Sequence, residues 1–173
     1  KMELIKNKHL KPHQKRELVI QRGDTERLLF DEHTHIPLLF VGYGVAKGKN
    51  IVQQVRSIDI FPTICDLLDI KNENEVDGVS LKPLLNSTPM KEIPAYIQST
   101  PMVQVKSDNV IGIRTSKYKY FRDENDAGKR VHLFDLTVDP LEDNNIANVN
   151  LHVVEEMERI IEEIHGDYED IHY

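Results

Sequence analysis

From residue 93 to residue 135 the chain breaks into short alternating runs, "IPAYIQS", "NVIGIRTS", "YKYFRD" and "VHLFDL", with turn-forming residues between them. A period of two puts successive side chains on opposite faces, so this stretch predicts a small antiparallel sheet. "NDAG" at 125–128 reads as a hairpin turn. The period then changes. Residues 151–165, "LHVVEEMERIIEEIH", set Val153, Met157, Ile160, Ile161 and Ile164 on one stripe. That spacing predicts an amphipathic helix closing over the sheet and ended by Gly166.

Upstream the texture differs. "RLLFDEHTHIPLLFVGYG" contains an apolar run over residues 36–41, followed by Gly42 and Gly44, and reads as a buried strand with a turn after it. In "SIDIFPTICDLLDI", residues 57–70, Ser57 or Asp59 can cap a helix and Pro62 is tolerated in its first turn. Ile58, Phe61, Cys65 and Leu68 fall on one face and Ile60, Ile64 and Leu67 on another, which predicts a helix buried on most sides. A buried strand followed by such a helix is expected at the end of an α/β sandwich layer. "NENEVDGVSLKPLL" is a polar loop with an Asp77-Gly78 turn, then an apolar anchor of Leu81, Leu84 and Leu85. Residues 1–26 carry no clear period and read as a loop or a marginal helix.

At 173 residues, 39% hydrophobic and 29% charged, the chain can bury a real core as a soluble globular protein. No apolar run reaches membrane-span length. The single cysteine excludes an internal disulfide framework, and a net charge of -7 argues against general nucleic-acid binding. Basic residues cluster in residues 1–22 and carboxylates in residues 151–173, two solvated faces whose mutual attraction is weak in salt. The chain opens on Lys1 rather than methionine, as expected for a processed product or a piece of a longer chain.

Chemistry-bearing motifs are few. Cys65 sits within the apolar helix, with no glycine-rich elbow and no adjacent base, and reads as a packing residue. No phosphate-binding loop, dinucleotide fingerprint, HExxH or EF-hand is present. In "DEHTH" an extended backbone would point Asp31, His33 and His35 to one side, a set able to hold zinc or iron. The other reading is local hydrogen bonding by Glu32 and His35 where the chain meets the sheet. His9 and His13 sit four apart in a polar segment without supporting carboxylates.

Four segments stand in order: "FDEHTHIPLLFVG", "VRSIDIFPTICDLLDI", "DGVSLKPLL", and "IRTSKYKYF" followed by "HLFDLTVDPLEDNNIAN". The second resembles the sulfatase pattern S-x-I-D-I-x-P-T-I-x-D-L-x-G-I and the third its D-G-x-S-L-x-P-L-L. The fourth is similar to its I-R-T-x-x-Y-K-Y and L-Y-D-L-x-x-D-P-x-E-x-x-N-L-A. The resemblance covers residues 28–165 and implies the C-terminal part of a sulfatase of the alkaline-phosphatase-like superfamily. The implied fold is the tail end of an α/β sandwich, residues 28–92, followed by a small antiparallel sheet with a closing helix, residues 93–173. Residues 1–27 are unmatched.

The resemblance implies a parent that hydrolyses sulfate esters, binds a divalent cation, typically calcium, and carries a formylglycine made from Cys or Ser. The family's nucleophile motif, C/S-x-P/A-x-R, is not in this chain, and "CDLLD" after Cys65 does not match it. The family's acidic metal ligands and its D-H-G or D-N-G element are also absent from this sequence. In the family a substrate-facing Lys or His usually precedes the proline that Pro37 matches; that window reads Thr25, Glu26, Arg27 here, and of these only Arg27 can substitute, with a one-residue shift of register. Position 69 is Asp where the family usually has Gly. The alternatives are a non-catalytic interaction module of the same fold and a phosphodiesterase or phosphonate-hydrolase relative. An orphan apolar strand is also expected to self-associate through its open sheet edge.

Overall fold

The computed structural model describes residues 9–18, 26–42, 45–99 and 109–169. In chain order the helices and strands are α1 (Pro12–Leu18), α2 (Asp31–Thr34), α3 (Ile60–Leu67), α4 (Lys82–Leu85), β1 (Ala95–Ser99), β2 (Val110–Arg114), β3 (Tyr118–Asp123), β4 (His132–Asp135) and α5 (Leu151–Glu169). Short 3-10 turns at Glu26–Leu29, Ser57–Asp59 and Ala147–Val149 precede α2, α3 and α5. The chain divides into two compact units, one made of residues 1–36 and 96–173, the other of residues 37–95.

The first unit is built on a four-stranded sheet in the order β1-β2-β3-β4, with antiparallel pairing of β2 to β3 and of β3 to β4. All four expected strands form, and the period of two sorts their residues. Ile111, Ile113, Tyr120 and Leu133 face α5, where Val153, Met157 and Ile161 complete a buried cluster with Ala147. The opposite face carries Val110, Phe121 and Phe134, covered by Leu29 and Phe30. Phe30 meets Phe121 edge-on with ring centroids 5.1 Å apart. Gly112 lies opposite Phe121, and a side chain there would come within 2.2 Å of the Tyr120 carbonyl. Arg122 and Tyr120 both bond Glu158 of α5, fastening helix to sheet. The helix runs past Gly166 to Glu169 instead of stopping there. That glycine has free space around it and no left-handed backbone, so nothing terminates the helix at that point.

The strand expected at the start of this region is replaced by a helical turn. The Phe30 carbonyl accepts the N–H groups of His33 and Thr34 at 2.9 and 3.2 Å, which winds residues 31–34 into α2. Residues 36–41 also form no strand: Leu39 and Val41 are each 83% exposed. A strand of that composition is stable only when neighbours cover both its faces, and the described residues pair none with it.

The second unit centres on α3. Asp59, 2% exposed, accepts the Arg56 N–H at 2.8 Å, the Arg56 guanidinium at 2.8 Å and the Val79 N–H at 3.0 Å. The buried Thr63 hydroxyl donates to the Asp59 carbonyl and accepts the Leu81 N–H at 2.8 Å. Asp66 accepts from Ser80 at 2.6 Å and Lys82 at 2.9 Å. The "DGVSLK" loop therefore binds the polar face of the helix. Gly78 is required there because a Cβ would sit 2.0 Å from the Ile58 carbonyl oxygen.

This corrects the expected burial on most sides. Cys65 is buried, but Ile58, Phe61, Ile64 and Leu68 form an exposed stripe. The inward positions are taken by hydrogen-bonding residues, which leaves the apolar ones outside. Beyond the helix, Asp69 adopts φ 53°, and the Ile70 N–H returns to the Cys65 carbonyl at 2.9 Å. This is a left-handed helix stop, and it explains why glycine is the usual residue at that position.

Candidate functional site

The sheet face covered by Phe30 carries one polar island. Arg114 and Lys119 stand directly opposite each other on β2 and β3. Two like charges in that register repel. Asp31, presented by the first turn of α2, lies between them. Its Oδ1 and Oδ2 accept Arg114 Nε and Nη2 at 3.1 and 2.9 Å, and Lys119 Nζ donates to Oδ1 at 2.7 Å. The Arg114 fork onto a carboxylate is the geometry that gives such pairs their strength.

Glu142 completes the island from the other side. It is 2% exposed, and its Oε2 accepts the Asp31 N–H at 2.7 Å. Lys119 Nζ lies 3.0 Å from its Oε1, an ion pair in the buried site. The same ammonium donates to the Thr34 hydroxyl at 3.0 Å. Glu142 is held at φ 53°, a backbone conformation that non-glycine residues rarely adopt. Among the described residues two cations face two carboxylates, in a site where Lys119 has no exposure.

Burial alone would raise Asp31, but the Arg114 hydrogen bonds and the Lys119 charge outweigh it and hold the carboxyl well below the usual range. For Glu142 burial dominates, and its carboxyl is raised despite Lys119.

The residues singled out in the sequence separate. Asp31 is an ion-pair centre. His35 Nδ1 is 3.7 Å from Asp31 Oδ2, while His33 and His35 are exposed, because the helical turn replaces the extended backbone that would have aligned all three. Among the described residues no group of three or more His, Cys, Asp or Glu side chains could hold a metal ion. The Arg27 side chain lies outside the described residues. His9 is exposed, and His13 points to Asp143, with Nδ1 at 3.0 and 2.8 Å from its two oxygens. Glu142 anchors the buried island. Asn145 braces the turn after it, accepting the Leu133 and Ala147 N–H groups at 3.0 Å each.

Lys119 is the residue that sequence reasoning missed. Its signal was parity: in "YKYF" it shares a strand face with Phe121, and a lysine on an inward face needs a buried partner. No helix among the described residues is long and apolar enough to cross a membrane.

Comparison with known proteins places this architecture. Residues 24–170 match the family described as N-sulphoglucosamine sulphohydrolase, C-terminal. Arylsulfatase K of Gallus gallus is 30% identical over 142 residues, which is 79% of this chain and 26% of that protein. A Delta 4,5-hexuronate-2-O-sulfatase of Bacteroides thetaiotaomicron is 31% identical over 123 residues, 68% of this chain and 25% of that protein. A protein solved in complex with its substrate, D-glucosamine-2-N,6-O-disulfate, is 28% identical and superposes with a TM-score of 0.54, over 65% of this chain and 24% of its own. The chain thus spans about a quarter of the length of these relatives. On the match over residues 24–170, the chain belongs to the sulfatase family, to which it contributes the C-terminal region described for N-sulphoglucosamine sulphohydrolase.

Proposed function

We propose that this chain is the C-terminal portion of a sulfuric ester hydrolase acting on sulfated sugars, and that its role in that enzyme is structural support. The observation that carries the reading is the family match over residues 24–170, with all four sulfatase-like segments inside it. The sugar class follows from the relatives, which include a hexuronate-2-O-sulfatase and a protein bound to a sulfated glucosamine. On this reading residues 28–92 end the catalytic α/β sandwich and residues 93–173 are its C-terminal subdomain. The exposed apolar residues at 36–41 and on α3 support it, since a larger sheet would cover them.

The family implies a divalent cation and a formylglycine. The residues described here suit neither. Both Asp31 oxygens are committed to Arg114 and Lys119, and Cys65 is buried in α3 and followed by "DLLD". No chemical step is assigned to this chain. By the resemblance, Arg27 would take the substrate-facing position after a one-residue shift of register.

The test is an assay of the longest natural polypeptide containing these residues, against an aryl sulfate, sulfated glucosamine and uronate, and an aryl phosphate, with calcium or magnesium supplied. Sulfate-ester turnover supports the proposal, and the 173-residue chain alone is expected to show none. Turnover of phosphate esters or phosphonates only would move the protein to that branch of the superfamily. No turnover by the complete polypeptide would favour the interaction-module reading.

A further inference from the structure

The receiving surface for α1 has a specific chemistry. Arg16 donates from Nη1 to the Glu142 carbonyl at 2.9 Å and from Nη2 to the Leu141 carbonyl at 2.7 Å. The same guanidinium donates to Glu32 Oε1 from Nη2 at 2.7 Å and from Nε at 3.2 Å. Its central carbon lies 3.9 Å from the centre of the Phe30 ring. Two carbonyls, one carboxylate and one aromatic face therefore surround a single planar cation on separate sides. The turn that supplies the carbonyls is fixed by Glu142, whose buried side chain and left-handed backbone belong to the Lys119 island. Next to it the Asp143 carboxylate takes the His13 N–H at 2.8 Å and the His13 ring. All the receiving residues lie within the stretch matched to the sulfatase family, and Arg16 and His13 lie before it.

We propose that Phe30, Glu32 and the turn at residues 141–143 form an arginine-recognition site, filled in this chain by its own residues 9–18 acting as a strap. The planar fork of a guanidinium can reach both carbonyls and the carboxylate while stacking on Phe30; the point charge of an ammonium cannot. The site thus accepts a basic, arginine-bearing segment. It is independent of the sulfatase reading, because it rests on contacts and not on activity.

The test uses the full 173-residue chain. Arg16→Ala should lower amide-exchange protection in residues 12–18 by roughly tenfold or more, the loss expected when several charge-assisted hydrogen bonds go, while residues 110–161 keep theirs. Millimolar N-ethylguanidinium should then bind the variant saturably, shifting the Phe30 and Glu32 amide resonances, and ethylammonium should not. Glu32→Gln in the Arg16→Ala background should weaken that binding several-fold. Arg16→Lys should behave like Arg16→Ala. Equal responses to the two cations, no saturable response from an Arg16→Ala variant whose sheet remains protected, or full protection in Arg16→Lys would each overturn the proposal. If Arg16→Ala unfolds the sheet as well, Arg16→Lys decides by the same exchange measurement. A dimer that forms on dilution-controlled refolding, and is lost in Arg16→Ala, would show the same site filled by residues 9–18 of a second copy and would support it.

Discussion

Replacing Lys119 by Met tests whether the buried island is held by charge. Methionine keeps most of the aliphatic stem, so the core packing around β3 changes little. What disappears is the ammonium 2.7 Å from Asp31 and 3.0 Å from Glu142. Asp31 retains the Arg114 fork, but Glu142 is left with the Asp31 N–H and no cation. Breaking a buried ion pair by removing one partner costs about 3–5 kcal/mol. For a domain of this size that corresponds to a drop of roughly 6–20 °C in melting temperature.

The pH dependence separates charge loss from packing loss. Glu142 is raised above its ordinary 4.5 by burial, with Lys119 opposing. A carboxyl raised in the folded state binds more protons there than in the unfolded chain, so stability falls as pH climbs through the window above 4.5. Without Lys119 the opposition is gone and Glu142 rises further. The penalty of Lys119→Met should therefore be smaller at about pH 5 than at about pH 7. Asp31 acts in the opposite sense: lowered from 3.8, it stabilises the fold above that pH and loses its contribution as pH falls below it. Urea unfolding followed by circular dichroism at both pH values measures the effect. A penalty under about 1 kcal/mol, equal at the two pH values, would refute the ion-pair account.

Two further outcomes follow from the second unit. Asp69→Gly should raise the stability of the α3 unit by about 0.5–1 kcal/mol, because the left-handed residue no longer carries a Cβ; a neutral or negative change in denaturant midpoint would remove that explanation. The apolar stripe on α3 should drive association of the isolated chain, so Phe61→Glu with Ile64→Glu should shift it toward monomer in sedimentation while amide protection at Thr63 and Cys65 persists. Unchanged association would mean that residues 36–41, or another surface, carries it.

The alternation in residues 93–135 and the stripe of Val153, Met157 and Ile161 were sufficient to determine the antiparallel sheet and its helix, because each element's burial pattern is written at its own period. Asp69 was readable only as a departure from the glycine usual in the family pattern; that the position is a left-handed stop, which penalises a Cβ, is decided by the structure. The buried island was not readable in the same way. Asp31, Lys119 and Glu142 are far apart in sequence, and nothing local shows that a lysine in "YKYF" will meet a carboxylate from a turn and another from a distant loop. Local pattern also misjudged residues 31–41. The apolar run has strand composition, but a strand needs partners that hydrogen-bond to it, and only the tertiary fold decides whether they are there. The burial of α3 turned on the same point. The sequence showed two apolar faces, but the "DGVSLK" loop packs on Asp59 and Thr63, because those residues satisfy the loop's backbone N–H groups and an apolar face could not.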